Sequence, residues 1–241
     1  MKQIWIYTCA ICLMSLFACQ QEELPSNSNV GYLSLENISI QSANVETITT
    51  RAVDTDLYVE IWDEAGTSQV GETYKPGDIP AKIELEPGNY TLKAYNAAFL
   101  DQSSWTENVK GAAVYYIDNK SFTIEAGKVN YLSVEVPMIN IGVQLVLPEG
   151  FSGDSGWFED YTFTVRVGKV GEEKTVELKD EEIAYFSYSN GVKLSYQLGA
   201  TNNDGELFNS GEIIYDEALS PGTIYVITYD YATKALRLLE P

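Results

Sequence analysis

From Gly31 onward, apolar and polar residues alternate along most of the chain. A period of two places one side chain in a core and the next in water, which is the mark of a half-buried strand. "GYLSLENISI" alternates through Tyr32, Leu33, Leu35 and Ile38. "DLYVEIW" sets Leu57, Val59 and Ile61 on one face, with Tyr58, Glu60 and Trp62 opposite. "AKIELEPGNYTLKAYNA" reads as two strands joined at Pro87-Gly88, and "KSFTIEAGKVNYLSVEV" as a hairpin turning at Ala126-Gly127. The second half continues with "YTFTVRVG", "EKTVELKD", "IAYFSY", "VKLSYQL", "GEIIYDE", "TIYVITYDY" and "KALRLLEP". Asn202-Asn203-Asp204-Gly205 is a hairpin-turn signal, because Asn and Gly tolerate positive φ. No segment shows helical periodicity with caps. The pattern predicts an all-β protein built of sandwiches.

The body from Gly31 to Pro241 is long for one sandwich of roughly 100 residues. The expected organisation is a signal segment over 1–18, a flexible tether over 19–30, and two sandwiches over 31–137 and 138–241. The break falls near Pro137 to Ile139, where one strand run passes to the next. A turn followed by a tyrosine-bearing strand recurs at Gly88/Tyr90/Leu92, Gly127/Tyr131/Val134 and Gly222/Tyr225/Ile227.

At the start, Lys2 precedes an apolar stretch from Ile4 to Ala18. Such a stretch has the length of a signal-peptide core and falls short of the roughly 20 residues of a membrane span. Leu16, Ala18 and Cys19 resemble a bacterial lipobox, in which Cys19 is acylated and becomes the mature N-terminus; Phe17 is bulkier than its usual occupant. The competing reading is a plain signal peptide with an incidental cysteine. Lipid on Cys19 would tether the protein to a membrane without spanning it. Gln20-Gln21-Glu22-Glu23 resembles the acidic export signal of Bacteroidetes surface lipoproteins, which implies an outer-membrane, surface-exposed location.

Composition removes several classes of function. Cys9, Cys12 and Cys19 are the only cysteines, and there is no histidine. The body therefore has no disulfide, no Ser-His-Asp or Cys-His catalysis and no histidine-ligated zinc. The formal charge of -20 repels phosphates, so nucleic acid is set aside as a partner. The 17 tyrosines suit half-buried strands and recognition surfaces alike.

Carboxylates at Asp63-Glu64 and Asp180-Glu181-Glu182 are adjacent in expected turns, where acidic residues are ordinary. No enzyme, cofactor or metal is expected. The oxygen-rich loops at Asp54–Asp56 and Asn202–Glu206 do not fit the calcium-loop pattern. In "FLDQSSWTENVKGAAVYYIDN", Trp105, Tyr115 and Tyr116 are candidates for an aromatic platform for a glycan or a protein. The simpler reading folds Trp105 back onto the sandwich, with Tyr115 and Tyr116 straddling a strand.

"GYLSLENISI", "TTRAVDTDLYVEIWDEAG", "LEPGNYTLKAYNA" and "WFEDYTFTV" with "IAYF" together resemble an uncharacterised family of Bacteroidetes lipoproteins related to the fimbrillins. The resemblance implies two transthyretin-like or immunoglobulin-like sandwiches acting as a pilus subunit or surface adhesin. It also implies proteolytic processing between Arg51 and Ala52, loss of the first strand, and its replacement by a strand of the next subunit. Ala235 to Leu239 is the candidate donor, and serves equally as the domain's own last strand. Arg51 is otherwise an ordinary exposed arginine in a polar linker. The functional expectation is a lipid-anchored fimbrial subunit or adhesin; the alternative is a glycan- or protein-binding accessory lipoprotein.

Overall fold

The computed structural model describes residues 29–41, 56–153 and 156–239. Its first part runs β1 (Gly31–Ile40), β2 (Leu57–Asp63), β3 (Ile83–Leu85), β4 (Gly88–Asn96), helix α1 (Ala97–Asp101), β5 (Tyr116–Ile124) and β6 (Val129–Val136). The second runs β7 (Ile141–Val146), β8 (Phe158–Gly168), β9 (Lys174–Leu178), β10 (Ile183–Phe186) and β11 (Lys193–Asn202). It ends with β12 (Leu207–Asn209), β13 (Ile213–Tyr215), β14 (Ile224–Asp230) and β15 (Ala235–Leu239). The protein is all-β, as its alternation predicts. The helix that periodicity did not predict is a five-residue turn with no buried side chain and no side-chain cap, too short to carry a repeat. Among the described residues, no helix is long and apolar enough to cross a membrane.

In the N-terminal half the sheets are β3-β1-β6 and β2-β4-β5. β1 runs antiparallel to β3, with Leu33 opposite Ile83, and parallel to β6, with Tyr32 opposite Val129. Two connections expected within one sheet are therefore arches between sheets. β3 and β4, either side of Pro87, lie in different sheets, and so do β5 and β6, either side of Gly127. Alternation shows that each strand has one buried face, and an arch meets that demand as well as a hairpin does.

The C-terminal half repeats the path. Its sheets are β10-β7-β14-β15 and β12-β11-β8-β9, with β13 also pairing β11. β7 is antiparallel to β10 and parallel to β14, as β1 is to β3 and β6. Two of the three turn-plus-tyrosine sites occupy matching places in this repeat. Gly127 (φ +68°) and Gly222 (φ +75°) each open the turn before the parallel strand. Their amides donate to the residue preceding the first strand, Val30 O at 2.8 Å and Asn140 O at 2.9 Å. The tyrosines differ: Tyr131 is exposed and Tyr225 buried, because they follow their glycines by unequal spacings.

Each half has its own core. Leu33, Ile61, Leu92 and Val134 belong to one, and Ile141, Phe163, Leu198 and Ile227 to the other. Side chains of this size each contribute about 1.5–3 kcal/mol when fully buried. The β11–β12 turn forms at the expected Asn202–Gly205, with Gly205 at φ +80°. Asn202 Oδ1 accepts the amides of Asp204 and Glu206, so this oxygen serves the turn.

Candidate functional site

β1 is held along its whole length. Leu33 is fully buried and Leu35 and Ser34 nearly so. One edge of β1 is bonded to β3 and the other to β6. The Tyr32 amide donates to Lys128 O, and the Gln41 amide to Val136 O, each at 2.9 Å. Gly31 is fixed by sterics: a Cβ there would lie 2.3 Å from Glu125 O. Taking β1 away would leave an apolar slot over Leu57, Val59 and Ile61, with the facing edges of β3 and β6 unpaired. That state is a template for another strand. Cys19, Arg51 and Ala52 lie outside the described residues.

The three candidate aromatics have three different settings. Trp105 is carried by the chain between α1 and β5 onto the C-terminal half. Its ring packs so close to Gly111 (φ +65°) that a Cβ there would sit 2.9 Å from it. The Lys174 ammonium of β9 lies 5.8 Å from the Trp105 ring centroid and 5.5 Å from that of Phe186. This amine is buried without a hydrogen-bond partner. Desolvation pushes its pKa down, against the opposing charge of Glu107. The same stretch bonds to the facing edges of both C-terminal sheets. The Asn108 amide donates to Thr175 O at 3.1 Å, and the Tyr185 amide to Lys110 O at 2.6 Å. Thr175 N donates to Glu107 Oε2 at 3.2 Å, and Lys110 pairs with Glu182. Residues 105–111 are thus a strap over the open side between β9 and β10.

Tyr115 directly precedes β5 and lies against the connection between the halves, which follows β6. It bridges to Met138, takes Asn96 Oδ1 on its amide at 3.1 Å and packs on the N-terminal core. Buried Asn140 fixes the same connection, accepting from Val114 N and donating to Ala112 O, each at 2.9 Å.

Tyr116 belongs to an aromatic row on the outer face of β2-β4-β5. It stacks on Phe99 at 4.3 Å; Phe99 meets Tyr95 at 5.4 Å, and Tyr95 stacks on Tyr58 at 5.4 Å. Glu60 lies within this face, accepting from Tyr95 O–H at 2.7 Å and from Trp62 Nε1 at 3.1 Å. Lys93 Nζ stands 3.5 Å from it. Burial alone would raise the Glu60 pKa, but these hydrogen bonds and the Lys93 charge bring it below the usual value. Burial and the Glu60 hydrogen bond push the Tyr95 phenol well up. The outward positions Tyr58, Glu60 and Trp62 were legible in "DLYVEIW". Their partners Tyr95 and Lys93 required the β2–β4 register, which sets Tyr58 opposite Tyr95 and Glu60 opposite Lys93.

A family model described as a domain of unknown function, DUF4493, matches residues 29–236. No curated protein matches the chain. Among solved structures, a candidate adhesin from Bacteroides ovatus is similar at 9% identity, with 88% of this chain and 93% of that one covered and a TM-score of 0.46. A candidate cell adhesion protein from the same species is similar at 11% identity, with coverage of 87% and 95% and a TM-score of 0.45. A fimbrilin from Porphyromonas gingivalis W83 is similar at 10% identity, with coverage of 88% and 96% and a TM-score of 0.42.

Proposed function

The chain belongs to the DUF4493 family, and on that premise we propose a lipoprotein, anchored to the outer membrane through Cys19, that serves as a fimbrial subunit or adhesin and not as an enzyme. Residues 31–137 and 138–241 act as its two sandwich units. The observation that carries this reading is the seating of β1. It is the central strand of its sheet, it buries Leu33 and Leu35, and a single cut after Arg51 separates it from everything downstream. The slot would then accept a strand from another copy. β15 is the candidate donor: an edge strand bonded to β14, it turns Leu236 inward and Leu239 outward. Its inward pair is Leu236 and Leu238.

The test is digestion of the full-length protein with an arginine-specific protease, followed by N-terminal sequencing and native sizing. A new N-terminus at Ala52 with oligomer ladders, both absent in Arg51→Ala, is expected. A cut protein that stays monomeric would overturn assembly by strand exchange. It would leave the alternative of a glycan- or protein-binding accessory lipoprotein, which the half-buried row of Tyr58, Phe99 and Tyr116 favours.

A further inference from the structure

Trp157 is 60% exposed, although its chain neighbour Phe158 and nearby Phe151 are buried. The indole lies 4.9 Å from the ring of Tyr231, at 31° to it. The two rings form a shelf where the β7–β8 loop, the β11–β12 turn and the β14–β15 turn meet. The chain enters the C-terminal half at the start of β7, and the strap around Trp105 grips β9 and β10 near the same end. The shelf stands at the opposite end, clear of the N-terminal half.

The shelf is braced. Trp157 N donates to Gly150 O at 3.0 Å, and Phe158 N to Phe151 O at 3.0 Å. The Tyr231 hydroxyl donates to Glu149 O at 3.4 Å, and Asn203 Nδ2 to Gly156 O at 2.9 Å. Gly156 admits no side chain, since a Cβ would lie 2.6 Å from the Ser152 carbonyl carbon. Beneath it Phe151, Phe158 and Tyr229 pack edge-on or tilted in the core. Hydrogen bonds thus fix the backbone beside the indole while its ring stays outward.

The surrounding charges narrow the ligand. Acidic side chains at Glu149, Asp204, Glu206 and Asp230 outnumber the cation of these loops, Lys234, which disfavours sulfated, phosphorylated or sialylated molecules. Two of these carboxylates are already engaged. Asp230 accepts from Ala232 N and Thr233 N and pairs with Arg237 at 2.8 Å, and Glu206 accepts from Asn202. A cation held by Asp230 or Glu206 would have to compete with these bonds. A neutral pyranose would not: its C–H face is weakly positive and suits the negative faces of the two rings, while its hydroxyls exchange water for the polar turn beside Asn203.

We propose that the Trp157–Tyr231 shelf binds a neutral glycan. The site stands whether or not β1 is ever released, so it is independent of strand exchange. The test titrates the full-length protein, in detergent micelles, with maltohexaose, cellohexaose, mannohexaose, a sialylated oligosaccharide and oligolysine. At least one neutral hexasaccharide should bind, and Trp157→Ala should weaken it about tenfold or more, equivalent to ~1.4 kcal/mol. Trp105→Ala should leave that affinity unchanged. The unfolding midpoint of Trp157→Ala should stay near wild type, as for most surface substitutions. Binding of no neutral sugar, neutral binding insensitive to Trp157→Ala, or Trp157-dependent capture of the sialylated sugar or of oligolysine instead would each overturn the proposal. Oligomer ladders without sugar binding would reject this site and leave assembly standing, and sugar binding without ladders would do the reverse.

Discussion

In the N-terminal half β1 lies between β3 and β6; in the C-terminal half β7 lies between β10 and β14. Each first strand is parallel to one neighbour and antiparallel to the other, and each buries leucine in its own core. Their surroundings differ in two ways. β7 follows a connection pinned by Asn140 to residues 112 and 114, whereas β1 is the first strand among the described residues. The far edge of β14 carries β15, whereas among the described residues no strand pairs with the far edge of β6. Equivalent topology therefore gives unequal separability. Interior packing makes a strand hard to remove, and chain order decides whether removing it leaves the rest of the molecule connected.

The largest effects should come from the two first strands. Leu33→Ala and Leu145→Ala remove fully buried side chains and should each cost about 2–5 kcal/mol in urea unfolding. After cleavage and loss of β1, the Leu33→Ala penalty should vanish while that of Leu145→Ala persists. Equal penalties before and after the cut would break the contrast.

Gly31→Ala comes next. Its Cβ meets backbone at 2.3 Å, whereas at Gly142 the nearest atoms are side chains at 3.0 Å and beyond. The β1 substitution should cost about 1–3 kcal/mol, and Gly142→Ala clearly less. Thermal denaturation of the pair checks this.

The outer faces give a smaller difference. Glu60 is nearly buried on the N-terminal face, while Glu212 pairs with Arg166 in the open, with side chains 45% and 47% exposed. Tyr95→Phe should cost about 1–2 kcal/mol, because it removes a hydrogen bond to a carboxylate. Glu212→Gln should cost well under ~1 kcal/mol, as exposed pairs do. The folded-state pKa of Glu60 is lowered. Its contribution is therefore complete above the unfolded value of about 4.3 and is lost as pH falls through the folded pKa. Glu60→Gln should flatten the acid limb of stability against pH.

Lys174→Met should have the opposite sign. Its amine is buried without a hydrogen-bond partner, so a methionine there should be neutral or stabilising by up to ~1 kcal/mol. Trp105→Ala, which empties the strap, should lower the midpoint. A destabilised Lys174→Met would show that the ring contacts outweigh desolvation.

Strands were legible because alternation reports a single buried face, as Leu57, Val59 and Ile61 do in β2. Partners were not legible. Nothing local says that β3 and β4 leave Pro87 for different sheets, since both satisfy the same pattern. The site was legible as residue types and not as neighbours: Trp105 was identified, while Lys174, which lies beside its ring, is remote in sequence. Trp157 was hidden for another reason. β8 begins with two successive outward residues, Glu159 and Asp160, where its register against β11 shifts, so parity counted back from Phe163 puts Trp157 on the wrong face.

A slot that β1 occupies and another strand can take is emptied and refilled by cutting the full-length protein after Arg51, removing the released segment, and adding the synthetic peptide GYLSLENISI. The unfolding midpoint should fall after removal and be restored by this peptide, and not by one carrying aspartate in place of Leu33. A midpoint unchanged by loss of β1, or a trimmed protein that the peptide fails to restore, would contradict the existence of such a slot.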